Sequence, residues 1–151
     1  MCRRSTAKKG SQKAQALGRS QGGFSTKIHI SVDALGNPLR FRLTADQCHD
    51  ITQGEELIAG YSCNHVIADR SFDADSFLQA ILKTGAMAVI PPRRHRKERR
   101  EYDVHLYRER HLAECFINKI KHYRHIFSRF DKLASRYLGF LSFVGALIWL
   151  R

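Results

Sequence analysis

The sequence lacks paired cysteines, and it has no apolar run long enough to cross a bilayer. Its four cysteines stand apart with no Cys-x-x-Cys pair and no secretory signal before them, so we expect free thiols in a reducing cytoplasm. The apolar C-terminal stretch LASRYLGFLSFVGALIWL contains Arg136, two glycines and two serines. Its uninterrupted part is shorter than the ~20 residues that a membrane span needs. We therefore predict a buried C-terminal helix and no membrane partner.

Acidic residues are also scarce, and residues 1 to 17 contain none. Lys and Arg total 26 against 14 Asp and Glu, which gives a formal net charge of +12 and a pI near 10.0. This excess predicts a polyanionic partner, with nucleic acid ahead of an acidic membrane. An apolar fraction of 43% in 151 residues is enough for one globular domain.

Residues 1–23 are basic, rich in Gly, Ser and Gln, and nearly free of large apolar side chains. Such a segment cannot bury enough surface to offset its ordering entropy, so we predict a flexible basic arm followed by a domain over residues 24–151. A mitochondrial targeting peptide is the alternative, but the segment shows no apolar helical face.

Residues 27 to 44 alternate between apolar and polar side chains on either side of a Gly-Asn-Pro turn. This period of two predicts an antiparallel hairpin with one buried face and one wet, basic outer face. The predicted inner face carries Ile28, Ile30, Val32, Leu39, Phe41 and Leu43, and the outer face carries Lys27, His29, Ser31, Arg40 and Arg42.

A strand, helix, strand unit is predicted next, after a short helix over residues 51–59. The strand HVIA ends at Asp69, Asp73 is expected to cap a helix that runs to about Leu82, and AMAVI forms the second strand. So short a crossover implies parallel strands, whose ends at residues 69 and 90 then share the sheet edge where α/β folds bind ligands. Taken alone, Asp69 is better explained as a turn residue.

Two basic features follow. The stretch PPRRHRKERREYD is interpreted either as a solvated loop or as a strip that follows phosphates, and the net charge favours phosphates. A helix is predicted from about 104 to 122, and Tyr107, Arg110, Glu114 and Lys121 share one narrow stripe on it. Ordinary i, i+4 pairing of Arg110 with Glu114 explains part of that stripe, but a pair worth ~0.2–0.5 kcal/mol does not require the added Tyr and Lys.

The spacing of this stripe resembles the Tyr, Arg, Glu, Lys signature of bacterial insertion-sequence DDE transposases. Three further blocks, GRSQGGFSTKIHISVDALGNPLRFRLTADQCHD, VIADRSFDAD and VIPPRRHRKERREYD, resemble successive parts of that family's catalytic domain. The resemblance runs from about Gly18 to Arg151. Four blocks in the same order are much more specific than any one of them.

The resemblance implies an α/β fold, a ribonuclease H-like mixed sheet flanked by helices, and a metal-dependent reaction on DNA. Asp69 then corresponds to the second catalytic Asp and Glu114 to the catalytic Glu, together holding Mg²⁺ or Mn²⁺ for strand cleavage and strand transfer of the mobile element. Tyr107, Arg110 and Lys121 would contact DNA, and Lys27, Arg40 and Arg42 are weaker candidates for the same role.

The first catalytic Asp of the family has no counterpart, because residues 1–17 carry no acid. Asp33 is a possible substitute, although a turn explains it. Without the strand that normally bears this Asp, the sheet lacks its first strand, which is typical of a truncated transposase or of the second-frame product of a frameshifted element. Whether this chain is itself an enzyme is therefore left open.

The rival interpretation is a non-enzymatic basic protein that binds DNA or RNA, in which Asp69 and Glu114 are structural. Under the transposase interpretation the partners are transposon ends and target DNA, bound by an oligomer of the chain on paired ends. The expected location is the bacterial cytoplasm, in association with the nucleoid.

Overall fold

The computed structural model describes residues 15–20, 23–97 and 100–151, with the side chains of residues 19, 20, 23 and 24 left outside the description. Five strands and six helices are present in this part of the chain. The strands are β1 (Gly18–Ser20), β2 (Gly23–Val32), β3 (Pro38–Ala45), β4 (His65–Ile67) and β5 (Met87–Val89). The helices are α1 (Gly54–Ile58), α2 (Asp75–Lys83), α3 (Val104–Tyr107), α4 (His111–Lys121), α5 (Arg124–Phe127) and α6 (Ala134–Trp149).

The predicted hairpin is confirmed. Strands β2 and β3 pair antiparallel from Thr26 opposite Ala45 to Val32 opposite Pro38. Their turn is closed by Gly36, which has a φ of 82°, and by the Asp33 carboxylate, which accepts the backbone N–H groups of Leu35 at 2.9 Å and Asn37 at 2.8 Å. Glycine adopts a positive φ without the steric strain that other residues incur, so Gly36 favours chain reversal at this position.

The short strand β1 pairs antiparallel with the start of β2. It lies within residues 1–23, the segment predicted to be a flexible arm, and places residues 18–20 of that segment in the sheet. The residues just before β1 are held by a distant side chain, because the Arg129 guanidinium donates to the carbonyl oxygens of Gln15 at 2.8 Å and Ala16 at 3.3 Å. Residues 1–14 of the predicted arm lie outside the described residues.

The predicted parallel unit is also confirmed, because β4 and β5 pair in parallel and α2 connects them. The two sheets differ from the expected single mixed sheet. In the described residues the strands form one antiparallel sheet, β1-β2-β3, and one separate parallel pair, β4-β5. What is shown is an α/β architecture of two small sheets flanked by helices.

Each sheet has its own core. The inner face of the hairpin, with Ile28, Ile30 and Val32, packs against a buried cluster from α4, α5 and α6. The parallel pair packs against α2 around a second cluster. The first cluster consists of Phe116, Ile120, Ile126, Tyr137, Leu141 and Val144, and the second of Phe77, Ile81, Ala86 and Ile90.

The outer face of the hairpin is not the wet, basic surface that the sequence predicted. The segment after β3, a 3₁₀ turn over Asp50–Gln53 and then α1, covers it with acidic side chains. Asp50 pairs with Lys27, Glu56 pairs with Arg42, and the Glu56 carbonyl oxygen accepts from Arg40. This cover lies against α2, because a Cβ added to Gly54 would come within 2.9 Å of the Phe77 ring.

The C-terminal helix α6 is buried on one side only. Tyr137, Leu141 and Val144 face the core, whereas Phe143 and Trp149 are more than half exposed. The prediction of a buried helix is therefore right for one face. No helix in the described residues is both long and apolar enough to cross a membrane.

Candidate functional site

Asp69 lies two residues beyond the end of β4, where the chain leaves the parallel pair. Its Oδ1 accepts the Ser71 backbone N–H at 2.6 Å and also the Ser71 hydroxyl, so the side chain caps the 3₁₀ turn Arg70–Phe72. The interpretation of Asp69 as a turn residue is thereby confirmed. Within the described residues Oδ2 takes no hydrogen bond, and this leaves one oxygen of a half-buried carboxylate open to another partner.

The predicted helix over 104–122 is a continuous helical segment with an α-helical turn, a 3₁₀ turn at Arg108–Arg110 and then α4. Its start is capped by Asp103, whose carboxylate accepts the N–H groups of His105 and Leu106. A 3₁₀ turn has three residues per turn, so it brings Tyr107 directly under Arg110.

Three members of the predicted stripe are in contact along this segment. The Arg110 guanidinium lies 5.9 Å from the centre of the Tyr107 ring, and its Nη2 donates to Glu114 Oε1 at 2.7 Å. Both charged side chains are partly solvated, with 34% and 55% of their surfaces exposed. An exposed i, i+4 pair of this kind adds only ~0.3–0.5 kcal/mol to stability.

The charge of Asp69 also affects the pKa of Arg110. Burial lowers the pKa of the Arg110 guanidinium, but the hydrogen bond and charge of Glu114, then Tyr107 and Asp69, outweigh burial and raise it above its ordinary value. Glu114 is in direct contact with Arg110, whereas Asp69, 45 positions earlier in the chain, affects the Arg110 pKa only through its charge.

The remaining two predicted contacts lie elsewhere. Lys121 is exposed at the last turn of α4, where it lines an apolar groove of about 570 Å³ beside Ile28 and Phe127. Lys27 projects from β2 and its Nζ is 3.1 Å from Asp50 Oδ1 and 3.1 Å from the carbonyl oxygen of Cys48. Lys27 is therefore already engaged by the chain itself.

Sequence reasoning missed Asp50 and Ser71, which connect the hairpin to Asp69. The Ser71 hydroxyl lies 3.3 Å from Asp50 Oδ2 as well as against Asp69 Oδ1. Asp50 Oδ1 lies 3.7 Å from Nδ1 of the buried His29, whose Nε2 is 2.7 Å from the Thr44 hydroxyl. An Asp followed two residues later by Ser is a local turn pattern that indicates Ser71. No local pattern indicates Asp50.

The prediction that Asp73 caps α2 is wrong, since Ala74 occupies the N-cap position and no side chain caps the helix there. The buried Asp73 carboxylate instead accepts the Arg93 backbone N–H at 2.7 Å, Arg96 Nη1 at 2.8 Å and Arg100 Nη2 at 3.4 Å. These contacts hold the basic stretch against the start of α2. Two guanidinium groups and one backbone N–H, all from 20 or more positions away, take the place of a local cap.

Family membership follows from comparison with known sequences. The model of the transposase DDE domain family matches residues 2–147. The chain belongs to this DDE transposase family. A protein of Brucella ovis named as a transposase for insertion sequence element IS6501 is 40% identical over 132 residues, which cover 85% of this chain and the whole of the relative. No solved structure matches the chain.

The carboxylates of this DDE transposase suit a magnesium site in their chemistry. No group of three or more His, Cys, Asp and Glu side chains that could hold a metal ion occurs among residues 15–20, 23–97 and 100–151. Mg²⁺ does not require such a cage, because it is usually held by one or two carboxylates together with water and substrate phosphates. The open Oδ2 of Asp69 and the partly exposed Glu114 are hard oxygen donors of that kind.

Asp33, the possible substitute for the first catalytic acid, is fully used by its turn. Besides the two backbone bonds to Oδ1, Oδ2 accepts the Asn37 side-chain N–H at 3.0 Å. Burial raises the pKa of Asp33, but hydrogen bonds from Asn37, Leu35 and Gly36 outweigh burial and lower it. The structure supports the turn interpretation of this residue in the transposase.

Proposed function

We propose that this chain is the catalytic part of an insertion-sequence transposase, in which Asp69 and Glu114 bind a divalent cation for DNA strand cleavage and strand transfer. The observation that carries the proposal is the placement of Asp69 just after a strand and of Glu114 on a helix, in a chain that belongs to the DDE transposase family. A metal site needs ligands held by rigid elements, and a strand end and a helix face are such supports.

The chain's own residues have distinct parts in this reaction. Bound Mg²⁺ or Mn²⁺ supplies activation of the attacking oxygen and stabilisation of the leaving oxygen at phosphorus. Asp69 offers Oδ2, because Ser71 occupies Oδ1. Glu114 offers its carboxylate once Arg110 turns from it to a DNA phosphate, for which a guanidinium is well shaped. We place the strands and helices in a ribonuclease H-like arrangement, as in the family.

We assign DNA contact to Tyr107 and Arg110 beside Glu114, and to Lys121 at the exposed last turn of the same helical segment. The net charge of +12 supplies the long-range attraction. Lys27 takes a smaller part than the sequence suggested, since Asp50 already neutralises it. The natural partners are the element's ends and target DNA in the bacterial nucleoid, bound by more than one copy of the chain.

Metal binding by the purified chain tests the proposal. Titration with Mn²⁺ followed by electron paramagnetic resonance should show a site that Asp69→Asn and Glu114→Gln each weaken by at least tenfold. Glu109→Gln is the matched control, because Glu109 is an exposed acid of the same helical segment and takes no part in the stripe. If Asp69→Asn and Glu109→Gln bind Mn²⁺ like the unaltered chain, the metal-site assignment is wrong.

The rival function, binding of nucleic acid without catalysis, is favoured by a specific observation. Asp69 already caps a turn and Glu114 already pairs with Arg110, so both have structural partners. Residues 1–17 also lack the family's first acid. Under this rival, which includes an inactive fragment, Asp69→Asn and Glu114→Gln leave Mn²⁺ binding unchanged, and DNA affinity stays the same or rises because negative charge is removed.

A second measurement separates the two functions further. DNA nicking should be assayed with the chain joined to an upstream segment that supplies an acidic strand of the family's kind. Metal-dependent nicking that disappears in Asp69→Asn, with DNA binding retained, supports the transposase. Absence of nicking from the restored protein, with DNA bound normally, supports the rival.

A further inference from the structure

A chain of side-chain contacts leads from the hairpin to Asp69. It begins at His29 and Lys27 on β2, passes to Asp50 in the 3₁₀ turn after β3, and reaches Asp69 through the Ser71 hydroxyl. No backbone pairing joins the two sheets within the described residues. These side chains are therefore one of the means by which the hairpin can determine the position of Asp69.

We propose that Asp50 is a positioning residue for Asp69 and acts through the Ser71 hydroxyl. The proposal rests on the proposed function, in which Asp69 holds the divalent cation. Asp50 itself is not assigned as a ligand. Its part is to hold Ser71 in the one arrangement that occupies Oδ1 of Asp69 and leaves Oδ2 directed to the cation.

The geometry of Ser71 explains how such an action is possible. A serine side chain has three staggered rotamers, and the backbone N–H of Ser71 reaches Asp69 in any of them. The hydroxyl has a single proton, which it donates to Asp69 Oδ1 and, at 3.3 Å, also to Asp50 Oδ2. Because both carboxylates accept from this hydroxyl, they favour this rotamer over the other two.

The partners of Asp50 explain how two carboxylates can share one hydroxyl. Lys27 Nζ, 3.1 Å from Asp50 Oδ1, offsets the negative charge of Asp50 and thereby its repulsion of Asp69. His29, only 5% exposed and fixed by the Thr44 hydroxyl, bounds Asp50 on the side of the sheet. Lys27, predicted from the sequence to contact DNA, thus has a defined role in holding Asp50.

A metal-free measurement tests the coupling directly. In protein labelled with ¹³C at Asp side chains, the Asp69 carboxyl resonance is assigned by its loss in Asp69→Asn. We expect Asp50→Asn to shift this resonance in the unaltered chain and to leave it unmoved in a Ser71→Ala background. Asp46→Asn is the control, because Asp46 lies four residues before Asp50 and its side chain makes no hydrogen bond to Ser71 in the described part of the chain. An Asp69 resonance that ignores Asp50 overturns the proposal.

Mn²⁺ affinity tests the consequence for the cation. Residues that orient metal ligands typically contribute 10–100-fold in affinity, so Asp50→Asn and Ser71→Ala should each weaken binding by roughly tenfold. Because both act through one hydroxyl, the double variant should lose no more than Ser71→Ala alone. Additive losses would overturn the proposal, since Asp50 would then act on the cation independently of Ser71.

The two arms separate failure of this inference from failure of the proposed function. If Asp69→Asn leaves Mn²⁺ affinity unchanged while the carboxyl resonance still responds to Asp50, the metal site is wrong and the positioning stands. If Asp69→Asn abolishes binding while Asp50→Asn changes only the melting temperature, Asp50 is merely structural and the inference fails.

Discussion

Replacement of Asp73 by alanine should destabilise the chain more than any other single loss of charge among its described acids. The Asp73 side chain is completely buried. It accepts hydrogen bonds from the Arg93 backbone N–H, from the Arg96 guanidinium and, at a longer distance, from the Arg100 guanidinium. Removal of one member of a buried ion pair costs ~3–5 kcal/mol. The arginine side chains keep 23% and 29% of their surface exposed, so water recovers part of that cost. We expect a loss of about 3 kcal/mol.

Urea unfolding followed by circular dichroism measures this loss, and heating should show a melting temperature lower by roughly 6–12 °C. Asp75→Asn is the matched control, because Asp75 pairs with the same Arg96 but has 77% of its side chain exposed. An exposed pair contributes at most ~1 kcal/mol. If Asp73→Ala costs no more than Asp75→Asn, the basic stretch is not anchored by Asp73 and the reasoning is refuted.

The same pair predicts a dependence on pH. Burial raises the pKa of Asp73, but the Arg93 N–H and the charges of Arg96 and Arg100 outweigh burial and hold it below its ordinary value. A depressed carboxyl pKa stabilises the fold above the ordinary value of 3.8, and this stabilisation is lost as pH falls below it. The stability difference between the unaltered chain and Asp73→Ala should therefore shrink below about pH 4.

Three further predictions concern stability, each measured by urea unfolding. Burial lowers the pKa of His29 and outweighs the charge of Asp50, which raises it, so the free energy of unfolding should fall as pH drops below about 6.5. His29→Gln should remove that part of the fall, and an unchanged pH profile in this variant would contradict the prediction. Leu141→Ala, in the fully buried core of α6, should cost about 3 kcal/mol, whereas the half-exposed Phe143→Ala should cost much less. Gly36→Ala should cost about 1 kcal/mol because of its positive φ, and a neutral result would show that the turn relaxes.

Much of the secondary structure follows from local pattern. The alternation over residues 27–44 requires an antiparallel hairpin with its apolar side inward, and the described pairing confirms it. Two apolar strands joined by a helix are typical of a parallel crossover, which is also present. Period and turn chemistry act over a few residues, so they are visible in the sequence itself.

In the candidate site too, contacts within one helical segment could be predicted from the sequence, whereas contacts between distant residues could not. The stripe predicted from spacing had four members, of which Tyr107, Arg110 and Glu114 are in contact along the helical segment, whereas Lys121 lines the groove at the end of α4. Its chemical role stays a prediction. The contacts of Asp50 with Ser71 span 21 positions, and no periodicity connects residues so far apart in two different turns. Only folding reveals such a pair.

By itself, the sequence determined the hairpin, the parallel unit, the helical stripe and membership of the DDE transposase family, because each depends on residue type and spacing. The tertiary structure decided which partner each charged side chain takes. In the folded chain Asp73 pairs with distant arginines rather than capping α2, and Lys27 pairs with Asp50. Arg110 pairs with Glu114, and the charge of Asp69 also raises its pKa. The reason is physical: a charge in a partly buried setting pairs with the nearest opposite charge in space, whatever the separation along the chain.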